Sequence, residues 1–154
     1  MKGADLSRPM PKVFNLSSKY NLGAEKIRAW LAEDPQRGSD TVFISAIFTW
    51  ELPAVARAAN AYKDRFRVEI GGPGPSLMPD WVYERTGIQP HVGIDDRFER
   101  QSGSYQYTIT SRGCPRRCPH CAVPQLEPHL IEYDSFPVAP VIGDNNLLAT
   151  SWQH

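Results

Sequence analysis

Apolar and polar positions alternate in a regular way along the first two thirds of the chain. Short apolar runs, typical of buried strands, occupy residues 12–16, 41–47 and 66–70. Between the runs, apolar residues recur at helical spacing and predict two amphipathic helices. The apolar face of the first helix is formed by Ala24, Ile27, Trp30 and Leu31, and that of the second by Leu52, Val55, Ala59 and Tyr62.

Turn-forming residues and prolines predict where these elements begin and end. Asn21 is placed to cap the first helix, and Pro35 to end it. Pro53 falls in the first turn of the second helix, where proline is tolerated. A short helix over 79–85 and a weak strand over 91–94 extend the β-α-β-α-β-α-β order. This order predicts an α/β fold with a Rossmann-like open parallel sheet.

The polarity of the chain divides it into three parts. Residues 1–11 are a loose lead-in, and residues 12–100 form the predicted α/β domain. The polar stretch 95–104 connects this domain to a second region, residues 101–154. In that region strands are predicted at 105–110 and at 146–150, introduced by Gly143-Asp144-Asn145, while the prolines between them disfavour helices.

Composition excludes several classes of function and partner. The chain has 154 residues with 17 basic and 17 acidic side chains, so its net charge gives no reason to expect nucleic acid or an anionic membrane as partner. No apolar run approaches the ~20 residues of a membrane span, and the N-terminus lacks the apolar core of a signal peptide. The cysteines lie together rather than in a disulfide framework, so we expect a reducing cytoplasm.

All three cysteines fall in one short stretch. Cys114, Cys118 and Cys121 have the spacing C-x3-C-x2-C, and neighbouring Gly113, Pro115 and Pro119 favour a loop over a helix. The strand predicted at 105–110 runs into this loop, so the loop is expected at the carboxyl end of a strand. Three thiolates in a tight loop can converge on one metal centre. A closed zinc site or an ordinary cubane cluster takes four protein ligands, so three would leave one position open.

A zinc site is the alternative for this loop. The chain has no fourth cysteine, so a histidine would have to complete the tetrahedral set. His120 lies too close in sequence to the cysteines to be a comfortable fourth ligand, whereas His129 is better placed. The alternative is therefore a small zinc-binding protein that uses Cys114, Cys118, Cys121 and His129.

The cysteine spacing resembles the cluster motif of the radical S-adenosylmethionine (radical SAM) enzymes. The resemblance implies that Cys114, Cys118 and Cys121 hold a [4Fe-4S] cluster whose open iron binds S-adenosylmethionine. It also implies a radical SAM enzyme, which cleaves S-adenosylmethionine reductively to a 5′-deoxyadenosyl radical. An electron donor such as a flavodoxin or ferredoxin and a small-molecule or other, unknown substrate are implied as partners.

Two further residues are placed near S-adenosylmethionine by the same resemblance. His120 stands just before the third cysteine, where the family often has an aromatic residue. Asp144 follows the second region's prolines and could contact the bound nucleoside, although an Asp there also suits a turn made with its own backbone. Between the first two cysteines, Arg116 and Arg117 either lower the thiol pKa values or form a solvated loop face.

The first region resembles the cobalamin-binding-type domain that precedes the barrel in one group of radical SAM enzymes. Ser45 after the second strand, and the pair Gly71 and Gly72 after the third, match that domain. The glycines would let a bulky ligand approach the backbone, or simply form a tight turn. The loop 17–23 contains no histidine where the family has its cobalt ligand. The resemblance therefore implies the fold, while cobalamin binding is in doubt.

The length of the second region bounds how much of a radical SAM barrel it can hold. One βαβ unit takes ~30 residues, so residues 105–154 have room for at most two barrel strands. We therefore expect the first strands of an incomplete (β/α) barrel, in a chain truncated early in that barrel. On its own, this short chain is expected to be a poor or inactive enzyme, and a truncated, non-catalytic remnant of a radical SAM enzyme is the third interpretation.

Overall fold

The structure is a computed structural model, and it describes residues 13–17, 21–34, 36–99, 101 and 107–154. The predicted lead-in, residues 1–11, lies outside the described residues. The first region is built on a parallel sheet of three strands in the order β1-β2-β3. The strands are β1 (Val13–Asn15), β2 (Thr41–Ser45) and β3 (Arg67–Gly71). All five residues of the central strand β2 are buried, as its continuous apolar run predicts.

Two helices cover opposite faces of this sheet. Helix α1 (Leu22–Glu33) packs on the face that carries Phe43, and α2 (Leu52–Tyr62) packs on the face that carries Ile44. The predicted cap of α1 is confirmed, because the side chain of Asn21 accepts a hydrogen bond of 3.1 Å from the backbone N–H of Ala24. Because successive side chains of β2 point to opposite faces, the sheet is buried between two layers.

Short helices follow the third strand. They are α3 (Pro73–Leu77), α4 (Pro79–Thr86) and α5 (Asp96–Glu99). The helix predicted over 79–85 is confirmed as α4. The strand predicted over 91–94 is wrong: the segment joins the sheet edge only through the backbone N–H of His91, which donates to the carbonyl of Ile70 over 2.8 Å. Gly93 at φ +84° turns the chain out of the extended geometry that a strand needs.

The segment predicted as a polar connector contributes to the core. Phe98 on α5 is buried, and its ring contacts Trp30 and Phe43 edge to face, with centroids 5.2 and 6.0 Å apart. The next residue, Glu99, forms buried ion pairs described below. Within 95–104, residues 100 and 102–104 lie outside the described part of the chain.

Two small sheets make up the second region. Strand β4 (Tyr107–Thr108) pairs in parallel with β7 (Val141–Ile142), and β5 (Ser111–Arg112) pairs antiparallel with β6 (Ile131–Glu132). A short helix, α6 (Val123–Leu126), follows the cysteines. No closed barrel is formed by the residues that the structure describes.

The predicted strands of this region are only partly observed. Of 105–110, residues 107–108 form β4, and 105–106 are not among the described residues. The strand predicted at 146–150 is wrong, because Leu147–Ala149 is a 3₁₀ turn. The pairing strand is β7 instead, continued by a 2.8 Å hydrogen bond from Gly143 N–H to the carbonyl of Thr108. Across the described ranges, no helix is both long and apolar enough to cross a membrane.

Candidate functional site

The cysteine loop begins at a glycine that no other residue could replace without displacing the backbone. Gly113 has φ +78°, and a Cβ atom built on it would lie 2.0 Å from the carbonyl oxygen of His129. Its backbone N–H donates a hydrogen bond of 2.8 Å to Oε2 of Glu127. The start of the loop is therefore fixed against the segment that follows α6.

Two tight turns shape the loop itself. The N–H of Cys118 donates to the carbonyl of Arg116 over 2.6 Å, and the N–H of Cys121 donates to the carbonyl of Cys118 over 3.1 Å. All three cysteines are free thiols. Cys114 is half-buried, whereas Cys118 and Cys121 are exposed, as is His120. The loop follows β5, a two-residue strand of the antiparallel pair, rather than the strand predicted at 105–110.

The thiol of Cys114 is in surroundings that favour its charged form. The side-chain amide of Asn146 donates a hydrogen bond of 3.2 Å to its Sγ. This bond, together with a backbone hydrogen bond from Arg116 and that residue's charge, lowers the pKa of the Cys114 thiol. Two roles were considered for Arg116 from the sequence. The structure supports the first, in which this residue lowers the pKa of a cysteine thiol. Asn146 was missed, because the sequence pattern placed it in a strand.

The thiols of the cysteine loop are suitable metal ligands, although their side chains do not converge on a common point. Three thiols in one loop are the soft ligands that zinc and iron–sulfur clusters prefer. Among the described residues, no three His, Cys, Asp or Glu side chains come together as a metal site. This applies equally to the set of Cys114, Cys118 and Cys121 with His129. The fit to a metal therefore rests on the identity of the three thiols and on the lowered pKa of Cys114.

Asp144 holds the loop's supporting strands together. Its carboxylate accepts hydrogen bonds from the N–H of Thr110 (2.7 Å), the hydroxyl of Thr110 (2.6 Å) and the hydroxyl of Ser111 (2.8 Å). Partial burial alone would raise the pKa of Asp144, but these hydrogen bonds outweigh it and lower the pKa. The side chain thus joins the end of β7 to the start of β5.

A row of alternating charges connects α1 to the cysteine loop. Lys26 Nζ lies 2.9 Å from Glu99, whose two oxygens accept from Nε (2.7 Å) and Nη2 (2.9 Å) of Arg112. Arg112 in turn lies 3.2 Å from Glu127, the acceptor of the Gly113 N–H. These four side chains are between 7% and 17% exposed. We refer to them as the Lys26–Glu127 row.

Glu99 is the centre of the row. Its burial would raise its pKa, but the hydrogen bonds and charge of Arg112, with those of Lys26, outweigh burial and lower the pKa. Burial lowers the pKa of Lys26, and Glu99 does not fully compensate. The pKa of Glu99 falls because this carboxylate faces two cations, whereas the pKa of Lys26 falls because burial and the charge of Arg112 outweigh the attraction of Glu99 and Glu127. Burial also raises the pKa of Tyr133 to about 12; its hydroxyl donates to Glu99.

A cavity of about 290 Å³ lies at the carboxyl ends of β2 and β3. Ser45, Gly71 and Gly72, which the sequence singled out, all line it. Gly72 has φ +101°, and a Cβ on it would lie 2.4 Å from the carbonyl oxygen of Ala46, so a tight turn requires this glycine. Drug-sized ligands fill cavities of ~300–1,000 Å³, so this cavity is of a size that suits a small ligand. The loop 17–23 has no histidine that could ligate cobalt.

The cavity and the cysteine loop share part of the same framework. Arg112 and Glu127 line the cavity and also support Gly113 at the start of the loop. Ser45 is not free in the cavity wall, because its hydroxyl donates to Oδ1 of Asn21 over 3.1 Å. The Lys26–Glu127 row could not be found from the sequence, since its members are far apart in the chain.

Comparison with known proteins gives no relative for this chain. No family model matches it, and no curated protein or solved structure matches it significantly.

Proposed function

We propose that the cysteine loop binds a [4Fe-4S] cluster of the radical SAM kind through Cys114, Cys118 and Cys121. The observation that carries the proposal is the presence of three free thiols on one short loop. A hydrogen bond from Asn146 lowers the pKa of one of them, Cys114, and so favours its thiolate form. Three thiolates leave one iron without a protein ligand. When bound, such a cluster supplies the electron that cleaves S-adenosylmethionine reductively.

In this proposal the protein orients and protects the loop. Gly113 and Glu127 fix where it begins, and Asp144 ties the strands on which it stands. Asn146 and Arg116 stabilise the negative charge of the Cys114 sulfur. His120 remains the side chain proposed to lie near S-adenosylmethionine. The carboxylate of Asp144 already accepts three protein hydrogen bonds, so we assign it the supporting role.

The fold is compatible with a Rossmann-like domain followed by the first strands of an incomplete barrel, but it does not identify either one. A three-stranded parallel sheet with helices on opposite faces is compatible with a Rossmann-like domain. The parallel pair β4 and β7, with the cysteine loop beside it, is compatible with the first strands of an incomplete (β/α) barrel. We propose a reducing, cytoplasmic setting with a flavodoxin or ferredoxin as electron donor, because cluster chemistry requires it.

Metal analysis tests the proposal. The chain is reconstituted anaerobically with iron and sulfide, and iron, sulfide and zinc are measured after gel filtration. We expect about four iron and four sulfide per chain, the content of a cubane cluster, and loss of stable incorporation in Cys114→Ala, Cys118→Ala and Cys121→Ala. Ser135→Ala, an exposed change outside the loop, serves as the control and should retain the cluster. Full iron retention in Cys118→Ala would refute the assignment.

A zinc site is the second candidate, because His129 lies beside the loop. The carbonyl of His129 approaches Gly113 closely enough to exclude a Cβ there. The same metal analysis separates the two candidates: a colourless chain with one zinc, lost in His129→Ala, would support zinc. If the chain binds iron but produces no 5′-deoxyadenosine with dithionite and S-adenosylmethionine, it is a non-catalytic remnant.

A further inference from the structure

The cavity at the end of the parallel sheet has walls from both regions of the chain. Ile27 of α1 and Phe43 of β2 line it from the first region, and Leu126, which follows the cysteines, lines it from the second. It adjoins the carboxyl ends of two parallel strands, the edge at which open α/β sheets bind ligands. A ligand in this cavity would contact both regions at once.

The charged residues around the cavity are already paired with one another. Lys26 and Arg112 are neutralised by Glu99 and Glu127 in the Lys26–Glu127 row. Arg97, also in the wall, pairs with Asp95 over 2.6 Å and with Glu69 over 2.8 Å. No cation in the described wall is left without a carboxylate. A ligand therefore meets apolar side chains and compensated ion pairs.

The balance of these charges disfavours an anion. The lining contains four carboxylates, Glu69, Asp95, Glu99 and Glu127, and besides His91 it contains three basic side chains, Lys26, Arg97 and Arg112. An added negative charge would have to be desolvated beside this excess of carboxylates. A neutral molecule with an apolar body would bury its surface against the wall without that cost.

Gly71 leaves part of the cavity open. It ends β3 beside Ser45, and a Cβ built on it would meet only the Cβ of His91, at 4.0 Å. Its backbone does not have a positive φ. A larger side chain at this position could therefore fill the cavity without displacing the backbone.

We propose that this cavity is a binding site for a small, neutral, largely apolar organic molecule and that it discriminates against anions. Its volume of about 290 Å³ is at the lower end of the range of small-molecule sites. The site does not depend on the metal, so it stands or falls separately from the function proposed above.

Nuclear magnetic resonance of the full chain tests the site with indole as the neutral probe and indole-3-acetate as its anionic counterpart. We expect saturable shifts of the backbone amides of Gly71 and Gly72 with indole, and binding at least tenfold weaker with indole-3-acetate. Gly71→Leu should weaken indole binding at least tenfold. Ala61→Leu, which introduces the same side chain on the exposed side of α2, should leave it unchanged.

Intermolecular contacts keep the test decisive if Gly71→Leu does not fold. In the unaltered chain, bound indole should show nuclear Overhauser contacts to the methyl groups of Ile27, Ile94 and Leu126, which line the cavity. Absence of saturable binding, contacts to other parts of the surface only, or equal affinity for indole-3-acetate would each overturn the proposal.

Discussion

The side-chain amide of Asn146 lies 3.2 Å from Sγ of Cys114 and donates a hydrogen bond to it. These residues come from opposite ends of the second region, so this bond links the cysteine loop to the 3₁₀ turn near the end of the described chain. This hydrogen bond contributes more than any other interaction to the lowered pKa of Cys114. The pKa of the Cys114 thiol can therefore be measured in the absence of any metal.

Replacing Asn146 by Ala should raise the pKa of Cys114, because the charged sulfur loses its side-chain donor. The measurement is the pH dependence of iodoacetamide alkylation, in chains where Cys118 and Cys121 are changed to Ser so that only Cys114 reacts. The Asn146→Ala profile should move to higher pH, while Asn60→Ala, remote from the loop, should leave it in place. Superimposable profiles for Asn146→Ala and the unaltered residue would contradict the assignment.

Gly113 and Gly87 offer a matched pair for testing the loop's geometry. Both have positive φ, so replacing either by Ala should cost about 1–2 kcal/mol in backbone strain. At Gly113 the new Cβ would also overlap the carbonyl of His129, adding about 1–3 kcal/mol, whereas at Gly87 it would meet nothing within 4 Å. In urea unfolding, the free energy of unfolding should be clearly lower for Gly113→Ala than for Gly87→Ala. Equal losses would show that the close contact is absent.

Glu99→Gln should destabilise the fold strongly. The change leaves Lys26 and Arg112 buried without their shared carboxylate, and breaking a buried ion pair from one side costs about 3–5 kcal/mol. Glu84→Gln removes an exposed carboxylate and should change the free energy of unfolding by less than about 0.5 kcal/mol. A loss for Glu99→Gln no larger than that for Glu84→Gln would mean that the row does not form.

The same variant should show a defined dependence on pH. The folded pKa of Glu99 is lowered, so its stabilising contribution is present above its ordinary pKa of about 4.3 and is lost as pH falls through the folded value. The difference in unfolding free energy between the unaltered chain and Glu99→Gln should therefore be constant near neutral pH and narrow in acid. A difference that grows as pH falls would reverse the sign of the inferred shift.

The elements of the first region could be predicted because local patterns determine them. The buried run of β2, the cap at Asn21 and the tolerated position of Pro53 are visible in a few consecutive residues. The role of Phe98 could not be predicted, because it is surrounded by charged residues that read as a solvated loop. Its burial depends on Trp30 and Phe43, which are distant in sequence.

The candidate site shows the same limit. The cysteine loop could be predicted from the spacing of the cysteines and from the glycine and prolines beside them. The apolar runs of β2 and β3 likewise predict that Ser45, Gly71 and Gly72 lie at or just after the ends of strands. The Lys26–Glu127 row and the bond from Asn146 to Cys114 join residues up to 73 positions apart, as in the pair of Lys26 and Glu99. Hydrophobic periodicity carries no information about contacts between residues so far apart in sequence. The interactions that support the loop are therefore seen only in the folded structure.

In the proposed function, three cysteine ligands leave one iron of a cluster open to S-adenosylmethionine. Electron paramagnetic resonance of the reconstituted, dithionite-reduced chain tests it most directly, with spectra recorded before and after S-adenosylmethionine is added. We predict the signal of a reduced [4Fe-4S] cluster that changes its g values on addition and is absent in Cys114→Ala. The absence of a cluster signal in the unaltered chain, or a signal that S-adenosylmethionine leaves unchanged, would contradict the claim.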